Sequence, residues 1–429
     1  MSLLIRDGRI LCAHTATDRK ADLRVQDGVV ADIADRLEPS TGEDVFSAAG
    51  RIVAPGLIDM HVHLRDPGQT HKEDIETGTR AAAAGGFVAV ACMANTAPTL
   101  DDPRWIAHVL DAAESRGSAR VHPLGSITRG LEGRESSPHE ALHAVGAVAF
   151  SDDGKSTMDD DIMRAVLRYG ARHDTPVFVH CEDPEIAGDG VMHDGDVSAS
   201  LRLPGIPPEA EERIIVRDCV LAQDTGGHVH IQHVTTRRGV EIIRAAKAGG
   251  APVTAEACPH HFTLTHEAVR DHGPSAKMNP PLRTADDVHG VIEGLSDGTL
   301  DAIATDHAPH SAEEKSQGMR EAPFGIIGLE LCVPLTWTSL VRGGHLSDAQ
   351  ALGKLTAAPA KILRLPPPRI EVGAPADITV IDPDMRITVT SEHIHSKSQN
   401  TPFVGTALTG WPVLTVCGGR ETFRRRSHA

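Results

Sequence analysis

The 429-residue chain is short of several features that mark particular protein classes. Positive charge is scarce: 42 Lys and Arg face 59 Asp and Glu, a formal net charge of −17. That balance works against binding to a phosphate backbone or an anionic membrane, so neither nucleic acid nor membrane is an expected partner. No stretch approaches the ~18 uninterrupted apolar residues of a membrane helix. Arg6 and Asp7 break the first apolar run too early for a signal peptide. The seven cysteines are odd in number, scattered, and include no C-x-x-C pair. They make neither a disulfide framework nor a thiolate zinc site, and they fit a cytoplasmic location. Aromatic rings are also few: 8 Phe, 3 Trp and 1 Tyr, against 25 His. Twenty of those histidines lie between His61 and His310, and imidazole is the commonest metal ligand, so metal chemistry is the first question.

The chain ends look alike. Residues 1–54 carry short extended pieces with turn signals at Asp7-Gly8 and Asp27-Gly28, which reads as small antiparallel β structure. Residues 366–429 open on Pro366-Pro367-Pro368 and continue with the alternating Ala376–Ile381 and Val413–Val416 runs. Arg424, Arg425 and Arg426 read as a solvated tail. The two ends are expected to pair into one discontinuous β domain around a middle unit, residues 55–365.

That middle unit alternates apolar runs with helical stretches. The runs are Leu57–His63, Phe87–Met93, Val121–Ile127, Ala147–Phe150, Val177–Val179, Val229–His233, Val253–Ala257 and Ala302–Ala304. Between them, Asp101-Asp102-Pro103 supplies a helix start and Gly117 a stop; Thr236 and Gly249-Gly250 do the same for another helix. Eight strand–helix repeats in about 300 residues predict an α/β fold, a metal-dependent (β/α)8 TIM-like barrel. A doubly wound open sheet is the alternative, but no G-x-G-x-x-G follows the first strand.

The polar residues that end these runs carry the chemistry: His61-Val62-His63-Leu64-Arg65, Asn95, Ser151-Asp152-Asp153, His180, His233 and Asp306-His307. In a barrel they converge on the C-terminal mouth. Four imidazoles with carboxylates make an N/O ligand set suited to zinc or a similar divalent ion. His61 and His63, two apart on a strand, point the same way. By the same parity His233 shares a face with Val229 and Ile231, and His228 and His230 lie on the other. Pattern leaves Asp152 and Asp153 open. His228, His230, His260, His261 and His307 read as satisfied interior groups, and Lys155 as a solvated loop residue.

Ala54-Pro55-Gly56-Leu57-Ile58-Asp59-Met60-His61-Val62-His63-Leu64-Arg65 resembles the opening signature of the amidohydrolase superfamily, in particular class I dihydroorotases. The resemblance continues through Met93–Thr96, Phe150–Gly154, His180–Asp183, His233–Thr236, Lys277–Arg283, Ile303–His310 and Glu321–Gly328. It implies that His61, His63 and Asp306 hold one zinc ion and His180 and His233 a second, with Asp153 rather than Asp152 as the bridge. One or two ions per chain are implied, two being the preferred number. The implied reaction is the reversible cyclisation of N-carbamoyl-L-aspartate to L-dihydroorotate in pyrimidine synthesis. In it a metal-activated water acts as nucleophile and Asp306 as general acid and base. Arg65, Asn95 and His310 are implied to bind the substrate carboxylate, Asn279 and the Phe324–Gly325 backbone the ring, with His63 alongside.

Arg65 separates this reaction from that of a dihydropyrimidinase, hydantoinase or allantoinase, whose substrates lack the ring carboxylate. A structural ion pair with Asp59 or Asp66 is the competing role for Arg65. An inactive scaffold for aspartate transcarbamoylase is the reading from another class, and the six ligand residues argue against it. A small-molecule substrate is the main partner expected; a homodimer or an association with aspartate transcarbamoylase are further ones.

Overall fold

A computed structural model describes residues 2–426. Eight short strands fall on the eight predicted apolar runs: Leu57–Val62, Phe87–Cys92, Arg120–Pro123, Phe150–Ser151, Val177–Val179, Val229–Ile231, Val253–Ala257 and Ala302–Ile303. All their mutual pairings are parallel. The first three form one sheet and the other five another. Isolated parallel bridges touch both seams, Gly125 to Phe150 and Val62 to His307. Side chains on one side of the strands, among them Met60, Ala91, Phe178 and Ala302, pack against one another. Those on the other side, such as Val90, Val121, Val229 and Ile231, pack with helix residues such as Ile106, Val109, Ile215 and Ile243.

The helices start and stop where local chemistry directs. Asp102 accepts from the Arg104 N–H at the head of Pro103–Arg116, and Gly117 closes that helix. Thr236 accepts from the Gly239 N–H at the head of Arg237–Ala248, and Gly249 closes it. Both side chains satisfy N–H groups that a helix end leaves without partners.

Both chain ends enter a third sheet. Its strands run, in spatial order, Arg420–Arg424, Ala407–Cys417, Ile378–Thr388, Ile52–Pro55, Ser2–Cys12, Thr17–Gln26 and Val29–Ala34, with Asp44–Ser47 beside Ser2–Cys12. Ile378–Ile381 pairs antiparallel with Ile52–Pro55. Leu3, Ile10, Leu23 and Val53 share one core with Ile378, Val380, Leu414 and Val416.

Three details differ from expectation. The sheet is mixed, since Asp44–Ser47 and Ile52–Pro55 run parallel to Ser2–Cys12. Asp7-Gly8 is a bulge inside one continuous strand, with Asp7 at φ 60° and the register shifting between Ile5 and Gly8. A Cβ at Gly8 would come within 2.4 Å of Val53, so close strand packing, not a chain reversal, requires this glycine. Asp27-Gly28, in contrast, is a two-residue reversal with both φ positive, as a twisted hairpin favours. The basic tail is also docked: Arg424 pairs with Asp44 and Glu421, and Arg425 lies 4.8 Å over the Trp411 ring. Among the described residues no helix is long and apolar enough to cross a membrane, and all seven cysteines are free.

Candidate metal centre

His61 and His63 close the strand Leu57–Val62, Asp153 follows Phe150–Ser151, and His180 follows Val177–Val179. His233 follows Val229–Ile231, and Asp306 follows Ala302–Ile303. The six lie at the ends of five parallel strands, and all are buried.

Their donor atoms converge. His61 Nε2 lies 3.4 Å from Asp153 Oδ1 and 3.4 Å from Asp306 Oδ1. His63 Nε2 lies 2.9 Å from Asp306 Oδ1 and 3.4 Å from Asp153 Oδ2. His233 Nε2 and His180 Nδ1 stand 3.6 and 3.9 Å from Asp153 Oδ1, and 3.1 Å from each other. Most of these gaps are too long for good hydrogen bonds and too short to admit a water. Around a tetrahedral ion with bonds of about 2.0–2.1 Å, neighbouring ligand atoms sit roughly 3.3 Å apart. Asp153 Oδ1 is buried without a hydrogen-bond partner, the condition of an oxygen placed for a cation. The donor set therefore fits divalent ions.

Neighbours fix which nitrogen faces the centre. His61 Nδ1 donates to Glu256 Oε1 at 2.7 Å, and His63 Nδ1 donates to Asn95 Oδ1 at 2.8 Å, so Nε2 is the nitrogen each ring turns toward the centre. Glu256 also accepts from His230 at 3.1 Å. Burial would raise the Glu256 carboxyl, but His61 and His230 on either side bring it down to about 2. Burial opposes charge on His61 too, yet Asp153, Asp306 and Glu256 outweigh it and raise the imidazole well above its usual range. The same exchange holds the carboxyls of Asp306 and Asp153 below theirs, against their burial. Such a cluster of excess negative charge holds a proton unless a metal cation replaces it.

Asp152 faces away from the imidazoles. It accepts from the Ile127 and Thr128 N–H groups and from Thr157, and so braces the loop rather than the centre. Lys155 is exposed and donates to the Leu131 carbonyl. Strand parity misplaces the histidines around Val229–Ile231. Val229 and Ile231 face the helices, while His230 points inward against Phe178. His233 reaches the centre because the strand has ended and its φ of 34° breaks the alternation.

Beside the cluster lies a cavity of about 180 Å³ bordered by His63, Arg65, Asn95, Asn279, His310, Phe324 and Gly325. Cavities of about 380 and 400 Å³ lie elsewhere but gather no comparable donors. Arg65 is buried and forms no ion pair among the described residues. Its Nε donates to the Pro309 carbonyl at 3.2 Å, and Nη2 sits 3.3 Å from His310 Nε2. Asp59 instead accepts from Thr305, and Asp66 pairs with His108. Burial lowers the guanidinium to about 10 despite the pull of Asp306 and Asp153. Asn95 differs from a free carboxylate ligand: its amide is already engaged by His63 and by the Asp153 carbonyl at 3.2 Å. Asn279 Oδ1 is buried without a partner. The Phe324 carbonyl accepts from His310 Nε2 at 2.8 Å. Gly325 has φ 122°, and a Cβ there would meet Ala308 at 2.5 Å, so the chain passes the cavity as bare backbone.

Sequence reasoning missed Glu256. Its signal was a carboxylate inside the apolar run Val253-Thr254-Ala255-Glu256-Ala257, where a buried charge requires a partner.

A family profile described as Dihydro-orotase-like matches residues 50–239. The chain is 48% identical over 426 residues to a dihydroorotase of Pelotomaculum thermopropionicum, covering 99% of each. It is 48% identical over 424 residues to a dihydroorotase of Syntrophotalea carbinolica, again covering 99% of each. Among solved structures it is similar to L-hydantoinase (dihydropyrimidinase) from Arthrobacter aurescens, with a TM-score of 0.87 at 25% identity, covering 98% of this chain and 96% of that one.

Proposed function

This chain belongs to the dihydroorotase family of the amidohydrolase superfamily, and from that premise we propose how its residues interconvert N-carbamoyl-L-aspartate and L-dihydroorotate in pyrimidine biosynthesis. His61, His63 and Asp306 would hold one zinc ion and His180 and His233 a second, with Asp153 between them. When bound, such ions lower the pKa of water toward neutrality and draw electron density from a carbonyl. The convergent donor atoms and the orphaned Asp153 Oδ1 support this assignment.

The chain's own groups do the rest. Arg65 meets the ring carboxylate as a charge partner, with Asn95 and His310 beside it. Asn279 Oδ1 accepts from a ring N–H, and the Phe324–Gly325 backbone borders the ring. Asp306 is held ionised by His61 and His63, so it can take the proton of the attacking water and return it to the departing ring nitrogen. In the biosynthetic direction the same carboxylate takes the proton of the attacking ureido nitrogen and gives it to the departing oxygen.

Eight parallel strands with bridges at both seams support a closed barrel spanning 55–365. The pairing of Ile52–Pro55 with Ile378–Ile381 supports a small β domain of residues 1–54 and 366–429.

The observation that carries the substrate assignment is Arg65, a buried cation beside the cluster that forms no ion pair among the described residues. Hydantoinase substrates would leave that charge unpaired. Parallel assays on dihydroorotate, dihydrouracil, hydantoin and allantoin test the reading. Dihydroorotate should give the highest kcat/KM, and equal or faster turnover of dihydrouracil would refute it.

A further inference from the structure

Two lysines outside the metal cluster are buried behind the loop that borders the cavity. Lys315 ends the one-turn helix Ala312–Lys315 and is 7% exposed. Its Nζ donates to three backbone carbonyls, those of Pro323 and Gly325 at 2.9 Å each and Lys277 at 3.2 Å. Lys277 Nζ donates to the carbonyls of Arg320 at 3.1 Å and Ala322 at 2.6 Å, and sits 4.4 Å over the Phe324 ring. The Gly325 N–H returns to the Lys277 carbonyl at 3.0 Å. Between them the two ammonium groups bind the carbonyls of 320, 322, 323 and 325, and Asn400 Nδ2 also donates to the last of these at 3.1 Å. Among the described residues nothing accepts from the Phe324 N–H.

We propose that Lys315 is a positioning residue for the substrate ring: its ammonium turns the Pro323 and Gly325 carbonyls inward and thereby presents the Phe324–Gly325 backbone, with its free N–H, to dihydroorotate. The proposal rests on the reading that this backbone borders the ring.

Three donors for three carbonyls is a match that an ammonium can make and a neutral side chain cannot. Holding a charge there is costly, since burial and the nearby Lys277 ammonium lower Lys315 to about 7. Apolar packing in its place could supply none of these three hydrogen bonds. Nor can the loop be set by side-chain packing at Gly325, which has none and is strained at φ 122° for any other residue.

The test compares Lys315→Met, which removes all three donors, with Lys315→Gln, which keeps two N–H donors, and with Gly325→Ala, which displaces the backbone directly. The zinc-loaded full chain is used throughout, with zinc content and Tm measured beside the kinetics. Lys315→Met should raise the KM for dihydroorotate about tenfold or more, with kcat within about threefold and zinc content unchanged. Lys315→Gln should recover part of that loss, and Gly325→Ala should raise KM at least as far. If Lys315→Met does not fold, the proposal stands or falls on whether Lys315→Gln raises KM at unchanged zinc content. A KM change in Gly325→Ala without one in either Lys315 variant overturns the positioning role and leaves the ring contact standing. No KM change in any variant overturns both. A fall in zinc content or Tm that accounts for the whole loss would reduce Lys315 to a structural group and overturn the proposal.

Discussion

Replacing Arg65 with methionine should move activity and stability in opposite directions. The guanidinium falls from its ordinary 12.5 to about 10, because burial outweighs its attraction to Asp306 and Asp153. At 1.36 kcal/mol per pKa unit, holding that charge in the substrate-free protein costs about 3 kcal/mol. Divalent ions on those same carboxylates would cancel part of the attraction and leave the cost no smaller. Methionine fills much of the stem's volume without the charge. It forfeits the hydrogen bond to the Pro309 carbonyl, about 1 kcal/mol. The substrate-free Arg65→Met protein should therefore melt no lower than the parent. Dihydroorotate, in contrast, loses the partner of its buried carboxylate. Truncating one side of a buried hydrogen-bonded charge pair costs 2–5 kcal/mol, roughly thirty- to several-thousand-fold in kcat/KM. Initial rates on dihydroorotate and on dihydrouracil, which lacks the carboxylate, separate recognition from chemistry. Only the first should fall, with zinc content constant. A kcat/KM for dihydroorotate within threefold of the parent, or a parallel fall on dihydrouracil, would refute the reasoning.

Four other outcomes follow from the same geometry. Asp306→Asn keeps an oxygen near the ion but cannot accept a proton, so kcat should drop at least 10²-fold with the Tm little changed; near-parental turnover excludes Asp306 as the base. Glu256→Gln weakens the grip on His61 Nδ1, and zinc affinity by competition titration should fall about 10- to 100-fold; an unchanged affinity means that Glu256 does not orient His61. Chelation should abolish activity, and added zinc should restore it. Because His61 is raised when no ion neutralises the carboxylates around it, protons compete for the site. Its apparent zinc affinity should decline as pH falls, and a pH-independent affinity would contradict that competition.

Much of the architecture was legible because strands buried on both faces read as short apolar runs and helix ends carry their own caps. The eight runs and the Asp102 and Thr236 helix starts needed no tertiary information. Long-range packing decided the rest. Asp7-Gly8 has the composition of a turn, but the approach of Val53 makes it a bulge. Strand parity set His233 among the outward residues, and only the positive φ after the strand turns it inward. Asp152 and Asp153 are equivalent in sequence; the Ile127–Thr128 backbone takes the first and leaves the second to the histidines. Glu256 shows its burial by its place in an apolar run, but its partner His61 lies 195 residues away. The Gly325 carbonyl that Lys315 meets lies 10 residues on, and local pattern specifies neither pairing.

The central claim is that six residues hold two ions beside an arginine that receives the substrate carboxylate. Anomalous scattering at the zinc edge from crystals of the zinc-loaded enzyme with dihydroorotate tests it most directly. Two peaks are predicted, one among His61, His63 and Asp306 and one between His180 and His233, both against Asp153, with the carboxylate on Arg65. A single peak, a peak away from these residues, or a carboxylate bound elsewhere would contradict the account.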